Sequence, residues 1–401
     1  MDALYKYKFD FDREYGIVLE GGGAKGAYQI GVWKALEEYG VKIKGIAGVS
    51  VGALNGALMA MGDYEFAESI WKEISYSKVM NVDDTTMDKL LKLDMKDLQI
   101  ANLTRTSAKT IVSGGVNIQP LRDLVEECVD EEKIRQSEKD LYIGTFSVTN
   151  FKEMELKANE LETGTIKDYL IASCSLPVFK REKFQGKSFL DGGIINNVPI
   201  DMLLKNNYKN IIVVRIFGLG LEKRVKIPKD VTVLEIAPRI DLGNILEFNH
   251  NKIVRNIKIG YYDGVRLLRG LIGRIYYIES FYSEKDFCTK FMNVNTWAMM
   301  AWLEYFKLDY TREVYYVARF FDSVLPNIAT ALGLAKDWNY EELYISMLEL
   351  SAKQLRIQKY RVYSVEELLS LVRERYNKRP IEEKKDLFVD LVIKTITILG
   401  E

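Results

Sequence analysis

The sequence is short of histidine, cysteine and proline, and each shortage limits the chemistry that the chain can perform. Its 401 residues include one histidine, three cysteines and seven prolines. The cysteines, Cys128, Cys174 and Cys288, are too few and too widely spaced for a disulfide framework or a zinc site. We therefore expect a protein with no metal and no other cofactor. A single histidine, His250, also leaves few ways to build a histidine-dependent catalytic triad.

The sequence also lacks an excess of either charge and any long apolar run. With 56 basic and 57 acidic residues, its formal net charge is -1, which argues against a nucleic-acid partner. The first residues are too charged for a signal peptide, and no run of about 18 apolar residues is present that could span a membrane. We expect a cytoplasmic protein that is at most peripheral at a membrane.

Apolar runs and helical patterns alternate through the first 240 residues. The predicted strands are Gly16–Glu20, Ile43–Val49, Leu141–Thr149, Glu153–Leu156, Ile211–Phe217 and Val231–Ile236. Such alternation is typical of an α/β fold in which a mostly parallel central sheet is flanked by helices. We assign residues 1–240 to one domain of this kind.

Residues 241–401 have a different character. Five of the seven prolines precede them, no clear strand recurs, and aromatic-rich helical segments such as Thr296–Phe306 replace the apolar runs. Ser364 and Glu367 form a capping-box pattern ahead of an amphipathic stretch that includes Leu368 and Val372. We expect these residues to form an α-helical C-terminal domain or extension.

One segment of the first domain fits a catalytic motif. Gly48-Val49-Ser50-Val51-Gly52 matches the G-x-S-x-G nucleophile elbow, in which a serine occupies a sharp turn from a strand into a helix. Gly48 and Gly52 remove the side chains that would clash at such a turn. Ser50 is therefore the candidate nucleophile. The alternative is an ordinary glycine-rich turn, because the pattern also arises by chance.

A second glycine-rich segment, Gly21-Gly22-Gly23-Ala24-Lys25-Gly26, follows the first predicted strand. It also satisfies the G-x-G-x-x-G pattern of dinucleotide sites, but the second strand ends in Gly48-Val49-Ser50 and not in the acidic residue that binds a ribose. Its backbone N–H groups are expected at the carboxyl edge of the sheet, beside Ser50. That position suits an oxyanion hole.

A serine hydroxyl needs a neighbouring base to become a nucleophile. His250 lies in a polar segment at the start of the helical region, away from the predicted strand ends. Asp191 follows the apolar run Ser188–Leu190 and precedes Gly192 and Gly193, which allow a tight turn that points the carboxylate out of the strand end. We therefore favour Asp191 as the base. Alone, an aspartate before two glycines is also an ordinary turn former.

Together these motifs resemble those of the patatin-like phospholipase family. The resemblance rests on Glu20–Gly26, Gly48–Gly52, Ala172–Pro177 and Asp191–Gly193, in this order, and covers roughly residues 14–217. It implies that Ser50 is the nucleophile, that Asp191 is the base, and that the N–H groups of Gly22 and Gly23 stabilise the oxyanion. Aspartate is common in the family where Glu20 stands, and arginine where Lys25 stands, so Lys25 is given only a supporting role.

The resemblance implies a lipid acyl hydrolase that forms an acyl-serine intermediate on phospholipid or other acyl-ester lipids and contacts a membrane surface transiently. The alternatives are an acyltransferase that uses the same serine and a scaffold protein without activity. Val265–Tyr277, apolar with three arginines, is either an interfacial segment or a core helix with a charged rim. Residues 64–113 are either a cover over the site or a surface subdomain.

Overall fold

The computed structural model describes residues 9–79, 117–177, 179, 183–309, 316–378 and 386–399. They divide into two compact units, one that ends at Leu268 and one that begins at Arg269. None of the described helices is both long enough and apolar enough to cross a bilayer.

Eight of the described strands form one sheet in the first unit, which we call the α/β unit. They are β1 (Glu14–Leu19), β2 (Lys42–Val49), β3 (Asp140–Ser147), β4 (Lys152–Lys157), β5 (Lys183–Phe184), β6 (Lys187–Asp191), β7 (Asn210–Val214) and β8 (Thr232–Ile236). The order is β5-β6-β3-β2-β1-β7-β8, with β4 paired to β3. Strands β1, β2, β3, β7 and β8 are parallel, whereas β4 and β6 run antiparallel to β3. The predicted mostly parallel sheet is confirmed.

Helices flank this sheet. They are α1 (Ala27–Glu38), α2 (Val51–Met61), α3 (Tyr64–Glu73), α4 (Tyr76–Val79), α5 (Gln119–Cys128), α6 (Glu131–Gln136), α7 (Ile166–Ser173), α8 (Ile200–Lys205) and α9 (His250–Arg269). Helix α2 is buried along almost its whole length, and its small residues allow this: a Cβ on Gly56 would lie only 3.0 Å from the side chain of Ile46 on β2. The carboxyl ends of β1 and β2 therefore meet the start of α2 at one edge of the sheet.

Helix α9 belongs to the α/β unit because it packs closely on α1. A Cβ on Gly31 would lie 1.8 Å from the carbonyl oxygen of Ile257, and one on Gly260 would lie 1.9 Å from that of Tyr28. The Tyr28 hydroxyl also donates a hydrogen bond of 2.9 Å to Asp263. The domain boundary expected after residue 240 lies before α9. The compact units divide instead between Leu268 and Arg269, at the C-terminal end of α9.

The second unit, which we call the helical unit, is mainly α-helical. Its helices are α10 (Glu284–Met292), α11 (Thr296–Tyr305), α12 (Tyr316–Arg319), α13 (Leu325–Ala331), α14 (Tyr340–Gln354), α15 (Val365–Asn377) and α16 (Leu387–Ile398), with a π-helical turn at Phe320–Val324. Large aromatic side chains fill its core, among them Phe287, Phe291, Trp302 and Tyr344. The expected helical character is confirmed, and Ser364 caps α15 by accepting a hydrogen bond of 3.1 Å from the Glu367 N–H.

Two features of this part of the chain differ from expectation. Strands β9 (Tyr277–Glu279) and β10 (Val362–Ser364) pair in parallel, although no strand was expected after residue 240. Each has only three residues, too few for a recognisable apolar run. Val265–Tyr277 is not one helix either, since α9 ends at Arg269 and β9 begins at Tyr277. Its Val265, Leu268, Leu271 and Tyr276 are buried, so the interfacial interpretation of this segment is wrong.

Candidate active site

Ser50 lies at the turn between β2 and α2, with a φ of 55° and a ψ of -130°. A positive φ is uncommon for a residue that carries a side chain, so the turn is strained. A Cβ on Gly48 would lie 2.3 Å from the carbonyl oxygen of Gly52, and one on Gly52 would lie 2.1 Å from that of Leu19. No side chain fits at either position, and the sharp turn into the helix therefore requires both glycines.

The backbone of Ser50 is fixed by a neighbouring serine. The Ser50 N–H donates to Oγ of Ser173 at 2.8 Å, and the Ser173 hydroxyl donates to the carbonyl oxygen of Gly144 at 2.6 Å. Ser173 is fully buried at the end of α7, and Gly144 lies on β3. No role was predicted for Ser173, and its only signal in the sequence is that it belongs to the segment Ala172–Pro177.

Asp191 ends β6, beside the carboxyl ends of the parallel strands. It caps the short turn Gly192–Ile194, where its Oδ1 accepts a hydrogen bond of 2.8 Å from the Gly193 N–H. A Cβ on Gly192 would lie 2.6 Å from the carbonyl oxygen of Gly144 on β3. Gly192 therefore lets the end of β6 lie against β3. Strand β3 also pairs with β2, and Ser50 directly follows β2.

Burial sets the acid-base behaviour of Asp191, which is 3% exposed. Burial raises the pKa of its carboxyl to about 6, while the neighbouring Ser50 hydroxyl and the Gly193 N–H act to lower it. The structure therefore brings the side chains of Ser50 and Asp191 together. The second carboxyl oxygen, Oδ2, is buried and accepts no well-aligned hydrogen bond from the described residues. Only Oδ1 of the two carboxyl oxygens of Asp191 therefore accepts a well-aligned hydrogen bond, and we call this carboxyl group half-satisfied.

The first half of the glycine loop contacts Ser50. A Cβ on Gly21 would lie 3.2 Å from Cβ of Ser50, and Gly23 lines the same cavity as Ser50. Within the described parts of the chain, the backbone N–H groups of Gly22, Gly23 and Val51 donate to no protein acceptor. Val51 is the first residue of α2, where the free N–H groups and the helix dipole favour an anion.

The second half of the loop is bonded elsewhere. The Ala24 N–H donates to the carbonyl oxygen of Ile245 at 2.7 Å, and the Gly26 carbonyl oxygen accepts from Asn55 at 3.0 Å. Lys25 donates through Nζ to the carbonyl oxygen of Phe217 at 2.8 Å. These three predicted oxyanion residues therefore form a turn, Gly23–Gly26, that leads into α1.

Glu20 fixes the start of the glycine loop to the segment after β7. It is 2% exposed, and its carboxylate accepts hydrogen bonds from the backbone N–H groups of Ile216, Phe217 and Gly218, at 2.7, 3.0 and 3.2 Å. Arg215 adds an ion pair at 3.1 Å. No role was predicted for Glu20, because its hydrogen-bond partners lie almost 200 residues away in the sequence. The glycines that follow β7 were the one sequence signal of a close approach there.

An apolar cavity opens beside Ser50. Its cavity volume is about 100 Å³. Its lining includes Leu54 and Leu58 of α2, Trp71 of α3, Val125 of α5, Leu176 and Phe248. Of the segment 64–113, Ile70, Trp71, Ile74 and Val79 contribute to this wall, and residues 80–116 lie outside the described residues. The cavity offers a long apolar group a place next to the serine.

Cys174 also lines this cavity, close to both Ser50 and Asp191. Burial, together with the charge of Asp191, holds the pKa of its thiol well above the usual range, although the Ser50 hydroxyl acts in the opposite direction. A cysteine is a nucleophile as the thiolate. Cys174 therefore stays protonated and is not a rival to Ser50.

His250 does not approach the serine cavity. It is exposed at the first residue of α9, and its Nδ1 lies 2.8 Å from the carbonyl oxygen of Lys72. It is not among the residues that line the cavity.

One carboxylate cluster outside the cavity has the spacing of a metal site. Glu153, Glu155 and Asp201 bring one oxygen each within 4.8 Å of one another. Lys205 and Lys223 form ion pairs with these carboxylates and already supply positive charge there.

The first half of the chain is similar to known proteins. Residues 17–204 match the family model of the patatin-like phospholipases. The patatin-like phospholipase domain-containing protein ZK370.4 of Caenorhabditis elegans is 30% identical over 192 residues, which are 47% of this chain and 12% of that protein. Neuropathy target esterase sws of Drosophila melanogaster is 28% identical over 203 residues, which are 50% of this chain and 12% of that protein.

The chain therefore matches only about an eighth of the length of these relatives. Among solved structures, VipD from Legionella pneumophila covers 96% of this chain and 84% of its own, with 14% identity and a TM-score of 0.40. That likeness is too distant to support an inference.

Proposed function

We propose that the protein, whose residues 17–204 match the family model of the patatin-like phospholipases, is a lipid acyl hydrolase that cleaves carboxylic esters through an acyl-Ser50 intermediate. Relatives named as phospholipase-domain proteins and as neuropathy target esterases support the reaction class. The substrate is a phospholipid or another acyl-ester lipid.

In the proposed mechanism, Ser50 and Asp191 form a catalytic dyad. Oγ of Ser50 attacks the ester carbonyl carbon while the Asp191 carboxylate accepts the hydroxyl proton. The tetrahedral intermediate collapses, and the protonated Asp191 gives its proton to the departing alcohol oxygen. Water then attacks the acyl-serine with Asp191 as base, which releases the fatty acid and restores the hydroxyl of Ser50.

The N–H groups of Gly22, Gly23 and Val51 stabilise the negative oxygen of both tetrahedral intermediates. They have no acceptor among the described residues and are therefore available to a substrate oxygen. An elbow serine ordinarily uses the N–H of the next residue together with one from a neighbouring loop, and Val51 and the glycine loop match that arrangement. Donors that are already oriented stabilise the charge without reorganisation.

The observation that carries the proposal is the half-satisfied carboxyl of Asp191 beside Ser50. With a pKa of about 6, it is ionised at neutral pH and still close enough to that pH to accept a proton. The apolar cavity supports an acyl chain as the group that binds next to it, because few polar atoms line its wall.

The proposal is tested by labelling and by product analysis. Wild-type protein should react with a fluorophosphonate probe at Ser50 and release fatty acid from phosphatidylcholine in mixed micelles. Ser50→Ala should lose both, with turnover falling about a millionfold. Ser69→Ala, a change at an exposed serine of α3, is the matched control and should keep both.

Two results would contradict the proposal. The first is a wild-type protein that neither reacts with the probe nor releases fatty acid from any ester, as expected of a scaffold. The second is transfer of the acyl group to an added alcohol in preference to water, as expected of an acyltransferase.

A further inference from the structure

We propose that residues 217–229, which we call the docking loop, bind the surface of an anionic lipid membrane beside the active site. The proposal rests on the function proposed above, because a hydrolase of membrane lipids must reach its ester at such a surface. The loop follows β7 and is distinct from Val265–Tyr277, the segment in which the sequence first suggested an interface.

The loop exposes large apolar side chains in a row. Phe217, Leu219 and Leu221 are 53%, 64% and 63% exposed, and Ile227 is 39% exposed. Single exposed apolar residues are ordinary, but a consecutive group of them marks an interaction surface. The alternate positions in this row are Gly218 and Gly220.

The glycines explain why the apolar side chains point outward. A Cβ on Gly218 would lie 1.8 Å from the carbonyl oxygen of Gly21, and one on Gly220 would lie 2.5 Å from that of Gly193. The glycine face of the loop therefore packs on the glycine loop and on the turn after Asp191. Phe217, Leu219 and Leu221 alternate with these glycines and are left to solvent.

The backbone of this row is fixed and strained. Glu20 accepts hydrogen bonds from three successive N–H groups, including those of Phe217 and Gly218. Phe217 has a φ of 48°, a region that bulky side chains rarely adopt. Phe217 is also half exposed, so burial of its side chain contributes little to the stability of the fold. Its ring lies against the guanidinium of Arg215, whose Cζ is 5.5 Å from the ring centre.

The charges of the loop favour an anionic surface. Arg224, Lys226 and Lys229 are exposed and form no ion pair with any described residue. Glu222 within the loop pairs with Arg215, and Asp230, which directly follows the loop, pairs with Lys209. Free cations beside a few apolar tips suit anionic head groups over an acyl region. Protein interfaces, in contrast, are depleted of lysine.

The loop is also correctly placed for the chemistry. Its first residue accepts a hydrogen bond from Lys25 of the glycine loop, at 2.8 Å. The docking loop therefore packs directly on the glycine loop that supplies the proposed oxyanion hole, and its exposed side chains would hold the membrane nearby. The bound surface is then the one from which Ser50 takes its ester.

Vesicle flotation tests the proposal. All proteins carry Ser50→Ala, so that binding is measured without hydrolysis, on vesicles of phosphatidylcholine and on an equal mixture of phosphatidylcholine and phosphatidylserine. Leu219→Ser with Leu221→Ser should weaken binding to both vesicles about tenfold or more. Arg224→Gln with Lys226→Gln and Lys229→Gln should weaken binding to the mixed vesicles on the order of a hundredfold, and hardly affect phosphatidylcholine.

Matched controls remove equal numbers of exposed groups elsewhere. Phe151→Ser with Leu387→Ser removes two apolar side chains that are 86% and 62% exposed. Lys285→Gln with Lys307→Gln and Lys359→Gln removes three exposed cations of the helical unit. Both controls should bind like the parent, and thermal unfolding of every variant checks that the fold is intact.

The proposal is overturned if the parent protein binds neither kind of vesicle, or if the loop variants bind as tightly as their controls. With Ser50 present, Leu219→Ser with Leu221→Ser should slow hydrolysis of vesicle lipid and leave a soluble short-chain ester unaffected. Loop-dependent binding by a protein that hydrolyses no ester would refute the proposed function and leave the docking loop standing.

Discussion

The α/β unit and the helical unit each bury a carboxylate, but they satisfy it to different degrees. In the helical unit, Glu349 of α14 is 3% exposed and accepts hydrogen bonds from the N–H groups of Arg274, Ile275 and Tyr276, at 3.0, 2.7 and 2.7 Å. In the α/β unit, Asp191 is equally buried, yet its Oδ2 has no well-aligned partner among the described residues. A fully bonded carboxylate fixes backbone, whereas a half-bonded one keeps an affinity for a proton.

Glu20 gives the same contrast within the α/β unit. It is 2% exposed, and both of its carboxylate oxygens accept hydrogen bonds, which come from Ile216, Phe217, Gly218, Asn197 and Arg215. Burial alone therefore does not separate Asp191 from Glu20 and Glu349. The hydrogen bonds made by each carboxyl oxygen do separate these three residues.

Among the changes that compare these carboxylates, Asp191→Asn should have the largest effect on turnover. The amide cannot accept the serine proton, so hydrolysis of a soluble ester should fall about ten-thousandfold. Initial rates with a p-nitrophenyl ester measure the loss. Asp201→Asn, a change at a buried aspartate that pairs with Lys205 and Lys223, is the control and should retain turnover. Equal losses in the two variants would contradict the special position of Asp191.

Glu349→Gln should show the opposite pattern, with stability lost and turnover kept. In glutamine, an NH2 donor replaces one of the two carboxylate oxygens that accept from the three backbone N–H groups. This loss should lower the free energy of unfolding by about 4 kcal/mol. Urea unfolding measures the change, with Glu304→Gln on the exposed face of α11 as control. A stability close to that of the wild type would remove the distinction between the two carboxylates.

The raised pKa of Asp191 should make the wild-type fold less stable as pH rises. Its carboxyl binds a proton more tightly in the folded state, so this stabilisation is complete below pH 3.8 and is lost as pH passes through about 6. The shift of about two units is worth about 3 kcal/mol. Relative to wild type, Asp191→Asn should therefore gain about 3 kcal/mol between pH 4 and pH 8. The prediction would be contradicted if the free energies of unfolding of the two proteins, measured with urea, differed by the same amount at every pH in this range.

The same titration should appear in catalysis. In the proposed mechanism the ionised carboxylate is the base, so kcat/KM for a soluble ester should be constant above about pH 7 and fall about tenfold per unit below pH 6. A profile that bends near pH 4 would mean that the carboxyl is solvated or bonded in the active enzyme.

The sequence could predict what depends on local pattern. Ser50 and Asp191 were found because glycines beside a strand end mark a sharp turn, and the same steric rule places both residues in the structure. It could not predict the bond from Ser50 to Ser173, or the bonds of Glu20 to Ile216 and its neighbours. Those depend on the register of β1 against β7 and of α7 against β3, which no local signal encodes.

The smallest expected effect is that of His250→Ala. His250 is exposed at the start of α9, its ring is engaged by the backbone of Lys72, and it does not line the serine cavity. Turnover should therefore stay within a few fold of wild type, in the assay that detects the loss in Asp191→Asn. A surface hydrogen bond of this kind is worth about 1 kcal/mol, so the melting temperature should change by only a few degrees. A loss near a thousandfold, the size expected when a catalytic base is removed, would show that the dyad is incomplete without this side chain.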